Sequence, residues 1–311
     1  MEVELVVDAG AEIGESPLWD ASLGELFWVD ILAGLLHRFD PRTGANRSRN
    51  VGQPLGAIAL RHDGDLLLAV RDGFAVLGAD DGMRMLVEVE ANNPTMRMND
   101  GACDSRGRFW AGTTEVGRAL GAGSLYRLDG SNSVHRVLGG VTLSNGIDWS
   151  PDGQTMYYID SASGCVDAFD FEVERGAISR RRHLVEIPAA AGMPDGLTVD
   201  VDGFLWVALY RGGALRRYSP EGQLDRIVEL PVSLVTSCAF GDSDLQSLYV
   251  TSASRGLDRD SRSREPMAGG LFRLLPGISG VAPHRFGQPS SPQVPREFYG
   301  QSRPDAPRSV P

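Results

Sequence analysis

Residues 143–171 read LSNGIDWSPDGQTMYYIDSASGCVDAFDF. Three short apolar runs, LSNGIDWS, QTMYYID and CVDAFD, are separated by SPDG and SASG, whose Asp, Ser, Pro and Gly residues favour tight turns. Each run has strand length and none carries a helical period, so the segment is a β-meander. The same unit recurs along the chain. A turn followed by an apolar strand appears as GELFWVD (24–30), GDLLLAV (64–70), GRFWAGT (107–113), GQTMYYID (153–160), GFLWVAL (203–209) and QSLYVTS (246–252), spaced 40, 43, 46, 50 and 43 residues apart. A following strand is led by glycine in GLLHRFD (34–40), GFAVLGA (73–79), GSLYRLD (123–129), GCVDAFD (164–170), GALRRYS (213–219) and GLFRLL (270–275). A strand precedes each turn in IGESPLWD (13–20), PLGAIALR (54–61), RMNDGACD (97–104), LSNGIDWS (143–150), MPDGLTVD (193–200) and VTSCAFGD (235–242). Repeats near 45 residues with a fourth, less regular strand are the signature of a propeller. The sequence predicts an all-β, six-bladed β-propeller with four-stranded antiparallel blades.

Composition agrees. The 311 residues are 42% hydrophobic and 23% charged, and 38 are glycine, as a chain with many turns requires. The propeller is expected over 1–287 as a single domain, with Val3–Val7 completing the last blade and removing an open edge. Residues 288–311, rich in proline and serine, are expected to be a disordered tail. The net charge of −11 offers no basic surface for phosphates, which argues against nucleic acid as a partner. All 30 basic residues are arginine, so Schiff-base and P-loop lysine chemistry is excluded. Three scattered cysteines, Cys103, Cys165 and Cys238, form no disulfide or zinc pattern. With no signal-like or membrane-spanning apolar stretch, a soluble cytoplasmic protein is expected.

In a propeller the first strand of each blade lines the axial channel, and the N-terminal ends of these strands ring one mouth. The positions there are Glu15, the Leu55-Gly56 gap, Asn99 with Asp100, Asn145, Asp195 and Thr236-Ser237. Carboxylate and amide oxygens without histidine or cysteine suit a hard divalent cation. Glu15, Asn145 and Asp195 could equally cap strand ends and turns, since Asn-Gly and Asp-Gly are turn dipeptides; spacing alone leaves both open. Trp28, Trp110 and Trp206 are expected to pack between blades, Asp63, Asp152 and Asp202 to hold turns, and Cys103 and Cys238 to be buried hydrophobes. No G-x-S-x-G elbow is present.

The motifs GESPLWD (14–20), FWVDI (27–31), RMNDGACDSRGRFWAGT (97–113), SNGIDWSPDGQTMYYIDS (144–161), VDAFDF (166–171), PDGLTVDVDGFLWVAL (194–209) and AGGLFRL (268–274) resemble the SMP-30/gluconolactonase/regucalcin family, in order and spacing, from about residue 8 to about 287. The resemblance implies a propeller that binds one divalent metal in its channel and hydrolyses sugar lactones. It places the metal-binding residues at Glu15, Asn145 and Asp195, and the substrate-binding pair at Arg97 and Asn99. Calcium is the expected ion, with zinc, manganese, magnesium and ferrous iron as alternatives. One segment departs from the family: in TTEVGRALGAGSLY (113–126) no acidic residue matches the family's sugar-contacting glutamate, and Glu115 lies too far upstream. The identity of the sugar is thereby left open.

The chemistry so implied is a metal-polarised lactone carbonyl attacked by water, with Asp195 as general base, in a carboxylic-ester hydrolase of the gluconolactonase type. Gluconolactone and related aldonolactones are the expected substrates. A phosphotriesterase or arylesterase on the same propeller is one rival. A non-catalytic calcium-binding regulatory protein is the other, although binding alone would not need Arg97 and Asn99 beside the metal. The oligomeric state is not legible.

Overall fold

The computed structural model describes residues 1–78 and 82–287. Among these, six four-stranded antiparallel sheets form the blades, five of them sequential meanders. The inner strands are Gly14–Asp20, Leu55–Leu60, Met96–Cys103, Ser144–Trp149, Met193–Val199 and Val235–Gly241, in blades 1 to 6. Each packs against the inner strands of both neighbouring blades, which closes a six-membered ring around the axis. Blade 6 takes its outer strand from the chain's start: Val3–Val7 pairs antiparallel with Leu271–Leu274, with Leu5 opposite Phe272. The expected tail at 288–311 lies outside the described residues, as do Asp80 and Asp81 of the expected DDG turn.

The second strands explain why the propeller closes. In Leu66–Val70 every residue is buried; Leu66, Leu68 and Val70 face blade 1, while Leu67 and Ala69 face blade 3. A strand buried on both faces reads as a continuous apolar run, and LLLAV does. The core is accordingly six interblade clusters, one between each pair of neighbours, with no single centre. Trp110 meets Trp149 of the next blade edge-on at 6.1 Å, the interblade packing expected for the tryptophans.

Two turns are held by buried aspartates. Asp104 accepts the N–H groups of Arg106 (2.9 Å) and Arg108 (3.2 Å) and the Trp110 indole N–H (2.8 Å). Asp200 does the same for Asp202, Phe204 and Trp206, each at 3.0 Å. Gly107 and Gly203 occupy the left-handed region these turns need, with φ of 71° and 82°. Asp63 and Asp152 accept backbone N–H groups as expected. In blade 5 the turn is held by Asp200, and Asp202 is its backbone donor.

Candidate active site

Every inner strand slips register against its second strand at one place: between Glu15 and Leu18, Leu55 and Ala57, Met98 and Gly101, Ser144 and Ile147, Pro194 and Leu197, and Val235 and Ser237. A β-bulge leaves its residues outside the ladder and re-aims their side chains. Glu15, Asn99, Asp100, Asn145, Asp195 and Thr236 all sit in or beside these bulges, so the same irregularity, repeated by blade, gathers them at one level of the channel. Neither Asn145-Gly146 nor Asp195-Gly196 is a turn. Both lie inside strands, and neither glycine has positive φ. A Cβ on Gly146 would stand 2.8 Å from the Asp195 carbonyl oxygen, and one on Gly196 would collide with the Ser237 hydroxyl. Glycine is needed there because adjacent blades approach closely.

The polar side chains are buried: Glu15 is 2% exposed, Asn99 4%, Asn145 2% and Asp195 6%. Arg97 Nη1 donates to Asn99 Oδ1 at 2.6 Å and to the Met98 carbonyl at 3.0 Å. Asn99 Nδ2 donates to the Ser144 carbonyl at 2.6 Å and to Asn145 Oδ1 at 2.8 Å. Asn145 Nδ2 donates to Ser161 Oγ at 2.7 Å, and the Ser161 hydroxyl donates to the Pro194 carbonyl at 2.6 Å, one residue before Asp195. The relay fixes both amide orientations. Asn99 has spent both its donors inside the protein and keeps only a lone pair on Oδ1, whereas Nε and Nη2 of Arg97 make no hydrogen bond among the described residues. Thr236 is structural: its hydroxyl binds the Gly14 carbonyl at 2.5 Å and Thr251 Oγ1 at 2.9 Å.

The carboxylates are treated differently. Glu15 accepts one hydrogen bond, from the adjacent Ser16 N–H at 3.0 Å. Asp100 accepts one, from the Gly101 N–H at 2.7 Å. Asp195 accepts none among the described residues. Burial raises Glu15 well above the usual carboxylate range, with the charges of Asp195 and Asp100 adding to it. Burial and Asp100 raise Asp195 likewise, while Arg118 and Arg97 oppose the rise. Burial takes Asp100 up to about 6. Arg97 is lowered to about 10 by burial and by Arg118, against the pull of Glu15 and Asp195. A buried carboxylate with no donor is costly, and a cation held by oxygen would relieve that cost. The donors Glu15, Asn145 and Asp195 therefore fit a hard divalent ion. Among the described residues no three His, Cys, Asp or Glu side chains come together as a ligand set; the candidate set needs the amide oxygen of Asn145 as its third member.

A cavity of about 300 Å³ opens at the other end of the inner strands, lined by Trp19, Asp148, Trp149, Cys238 and His284 among others. Of the carboxylates that line it, Asp148 accepts the Trp149 and Val199 N–H groups at 2.8 Å each. The cavity's unmet buried polar groups are two donors, the Trp19 and Trp149 indole N–H groups; the carboxylate that accepts no hydrogen bond among the described residues is Asp195, at the opposite end. Cys103 and Cys238 are buried free thiols, and burial pushes both above the ordinary thiol range; they are packing residues as expected. Ser161 was not singled out by the sequence. Its signal is positional, since it directly follows the second strand of blade 4.

A six-bladed propeller with buried oxygen donors at one channel mouth defines the class, and the comparisons specify it. The chain belongs to the SMP-30/gluconolactonase/LRE-like family, whose model matches residues 13–254. Regucalcin of Xenopus laevis is 41% identical over 294 residues, covering 92% of this chain and 98% of that protein. A candidate sugar lactone lactonase of Bacillus subtilis (strain 168), YvrE, is 35% identical over 288 residues, covering 92% and 99%. Among solved structures, a regucalcin from Agrobacterium tumefaciens strain C58, described as a calcium-binding protein, superposes with a TM-score of 0.89 at 27% identity, covering 92% of this chain and 98% of that one. A luciferin-regenerating enzyme gives 0.86 at 30% identity, covering 92% and 99%.

Proposed function

We propose that the protein is a metal-dependent sugar lactonase of the gluconolactonase type. In this reading Glu15, Asn145 and Asp195 hold one divalent cation, calcium first among the candidates, Arg97 and Asn99 bind the lactone, and Asp195 is the general base. The observation that carries it is the Asp195 carboxylate, buried, without a hydrogen bond or ion pair among the described residues, and one residue from the carbonyl that terminates the Arg97–Asn99–Asn145–Ser161 relay. Membership of a family that includes lactonases supplies the substrate class. Three unpaired, buried cysteines support a reducing, cytoplasmic location. Among the described residues no helix is long and apolar enough to cross a membrane.

When bound, a divalent cation supplies a Lewis acid for the lactone carbonyl. The free donors of Arg97 orient the sugar by its hydroxyl groups, and the remaining lone pair of Asn99 accepts one of them, which fixes the face offered to water. Asp195, with no internal hydrogen bond to break, takes a proton from the attacking water. The same proton passes to the ring oxygen as the C–O bond opens, giving the open-chain aldonic acid, which ionises to the aldonate and releases a proton to solvent. A panel of lactones assayed by acid release, on stripped and metal-restored protein, tests the reading. Chelation should abolish turnover and a divalent ion restore it. Asp195→Asn should lose at least about 10²-fold, the low end for a general base. Full activity in protein shown by elemental analysis to be metal-free would refute the reading.

A further inference from the structure

The rim above this site carries two arginines without partners. Thr114 pairs with Arg97 and Glu115 with Met96, so the loop that begins at Val116 rises beside the strand end holding Arg97 and Asn99. The loop is anchored: the Arg118 N–H meets the Glu115 carbonyl at 2.8 Å, and the Gly121 N–H meets Thr142 Oγ1 at 3.0 Å. Two blades on, Tyr210 pairs with Met193, two residues before Asp195, and Arg211 follows it directly. Arg118 and Arg211 both hold left-handed backbone, with φ of 60° and 62°, a conformation unusual for a long side chain. Both are exposed. Neither guanidinium has a hydrogen bond or ion pair among the described residues, whereas most arginines of this chain are held by carboxylates or carbonyl oxygens.

The acidic groups nearby have other partners: Glu115, three residues before Arg118, accepts the Ala119 N–H at 3.2 Å. Asp30 accepts the N–H groups of Glu12 and Ile13, and Asp160 those of Thr142 and Leu143. Glu12 is paired with Arg255 at 2.8 Å. Arg118 and Arg211 are thus rim cations that none of these acids holds, in a chain whose net charge is −11.

We propose that the lactone carries a second, anionic group, a carboxylate or a phosphate, at the end remote from its carbonyl, and that Arg118 and Arg211 receive it. A planar guanidinium matches both anions. The inference rests on the lactonase reading and narrows it to the lactones of acidic or phosphorylated sugar acids. Arg118 and Arg211 are specificity determinants here, and the ring chemistry remains with Asp195 and Arg97.

The test compares kcat/KM for three probes on the metal-loaded protein at low ionic strength: neutral glucono-δ-lactone, glucarolactone with its free carboxylate, and a phosphorylated gluconolactone. The wild type should prefer at least one anionic lactone by about tenfold, and the preferred one identifies the anion. Arg118→Ala and Arg211→Ala should each lower the anionic-to-neutral ratio by about fivefold, the upper range for a partly exposed ion pair, through KM more than kcat. Arg118→Glu should lower it further, Arg118→Lys should keep part of it, and added salt should erode it. Turnover of neutral lactone with a ratio near one, or a ratio that both alanine variants leave within twofold of wild type, overturns the proposal while leaving the lactonase reading intact. No turnover of any lactone by the wild type overturns both.

Discussion

Asp195→Asn in metal-free protein separates a cation-binding carboxylate from an ordinary buried one. Asp195 is 6% exposed, accepts no hydrogen bond among the described residues, and feels the charge of Asp100 as well as its own desolvation. An unsatisfied buried polar group costs about 1–3 kcal/mol, and more when charged. Asparagine has nearly the same shape and no charge. Above neutral pH, with chelator present, the variant should therefore be more stable than the wild type by about 1–3 kcal/mol. For a domain of this size that corresponds to a rise in Tm of roughly 2–6 °C. Saturating divalent ion should invert the order. A ligand at a hundred times its Kd stabilises the native state by about 2.7 kcal/mol, a gain open to the wild type and largely closed to the variant. Differential scanning calorimetry on both proteins, stripped and then titrated with calcium or manganese, measures all four states. The reasoning is refuted if the stripped variant is the less stable protein, or if both proteins gain equally from the ion.

Arg97→Ala should raise KM for lactone and leave the metal-induced Tm shift in place, because its guanidinium touches Asn99 and the Met98 carbonyl and none of the proposed ligands; loss of that shift would reassign it. Ser161→Ala removes the acceptor that orients Asn145 and should weaken metal affinity about 10- to 100-fold, as loss of a group supporting a ligand does; unchanged affinity by calorimetric titration would show that Asn145 is held otherwise. His37 gives a pH prediction. Its Nδ1 accepts from Asn46 Nδ2 at 3.1 Å, its Nε2 has no partner, and burial lowers its pKa from 6.5 to about 4. The unfolded chain therefore binds the extra proton between those values, and stability is lost as pH falls through that window. Between pH 7 and 5 the loss should be about 1–2 kcal/mol, read as the difference in urea-unfolding free energy between wild type and His37→Phe; parallel pH profiles would contradict it.

The repeat made the propeller legible because each blade needs the same parts: a bulged inner strand, a turn, and a second strand buried on both sides. LLLAV (66–70) and LWVAL (205–209) declare that burial in their composition. The inner-strand positions Glu15, Asn99, Asn145 and Asp195 were legible for the same reason, since a repeat converts sequence offset into a level on the axis. Whether Asn145-Gly146 and Asp195-Gly196 were turns could not be decided from the dipeptides, because glycine relieves a steric contact with the next blade as readily as it permits positive φ. That choice depends on a neighbour 49 residues away, the Asp195 carbonyl beside Gly146, and local sequence does not encode it.

Ser161, Arg118 and Arg211 were illegible for a related reason. All three follow second strands at the channel mouth, in loops that the repeat fixes at their ends and leaves free between them. Ser161 acts only through Asn145 and Pro194, across two blades. Arg118 and Arg211 look like ordinary surface arginines in a chain with 30 basic residues; what distinguishes them is their place beside the strand ends that hold Arg97 and Asp195, with no ion pair among the described residues. The division has a functional logic. The proposed cation-binding residues sit on bulges repeated by every blade, where precision comes from the sheet hydrogen bonds on either side. Substrate choice sits in loops that can change length and charge without disturbing a blade. If so, exchanging 116–122 for a neutral loop of the same length should alter which lactone is preferred while the metal-induced Tm shift survives, and a loop exchange that abolished that shift would show that the two levels are not separable.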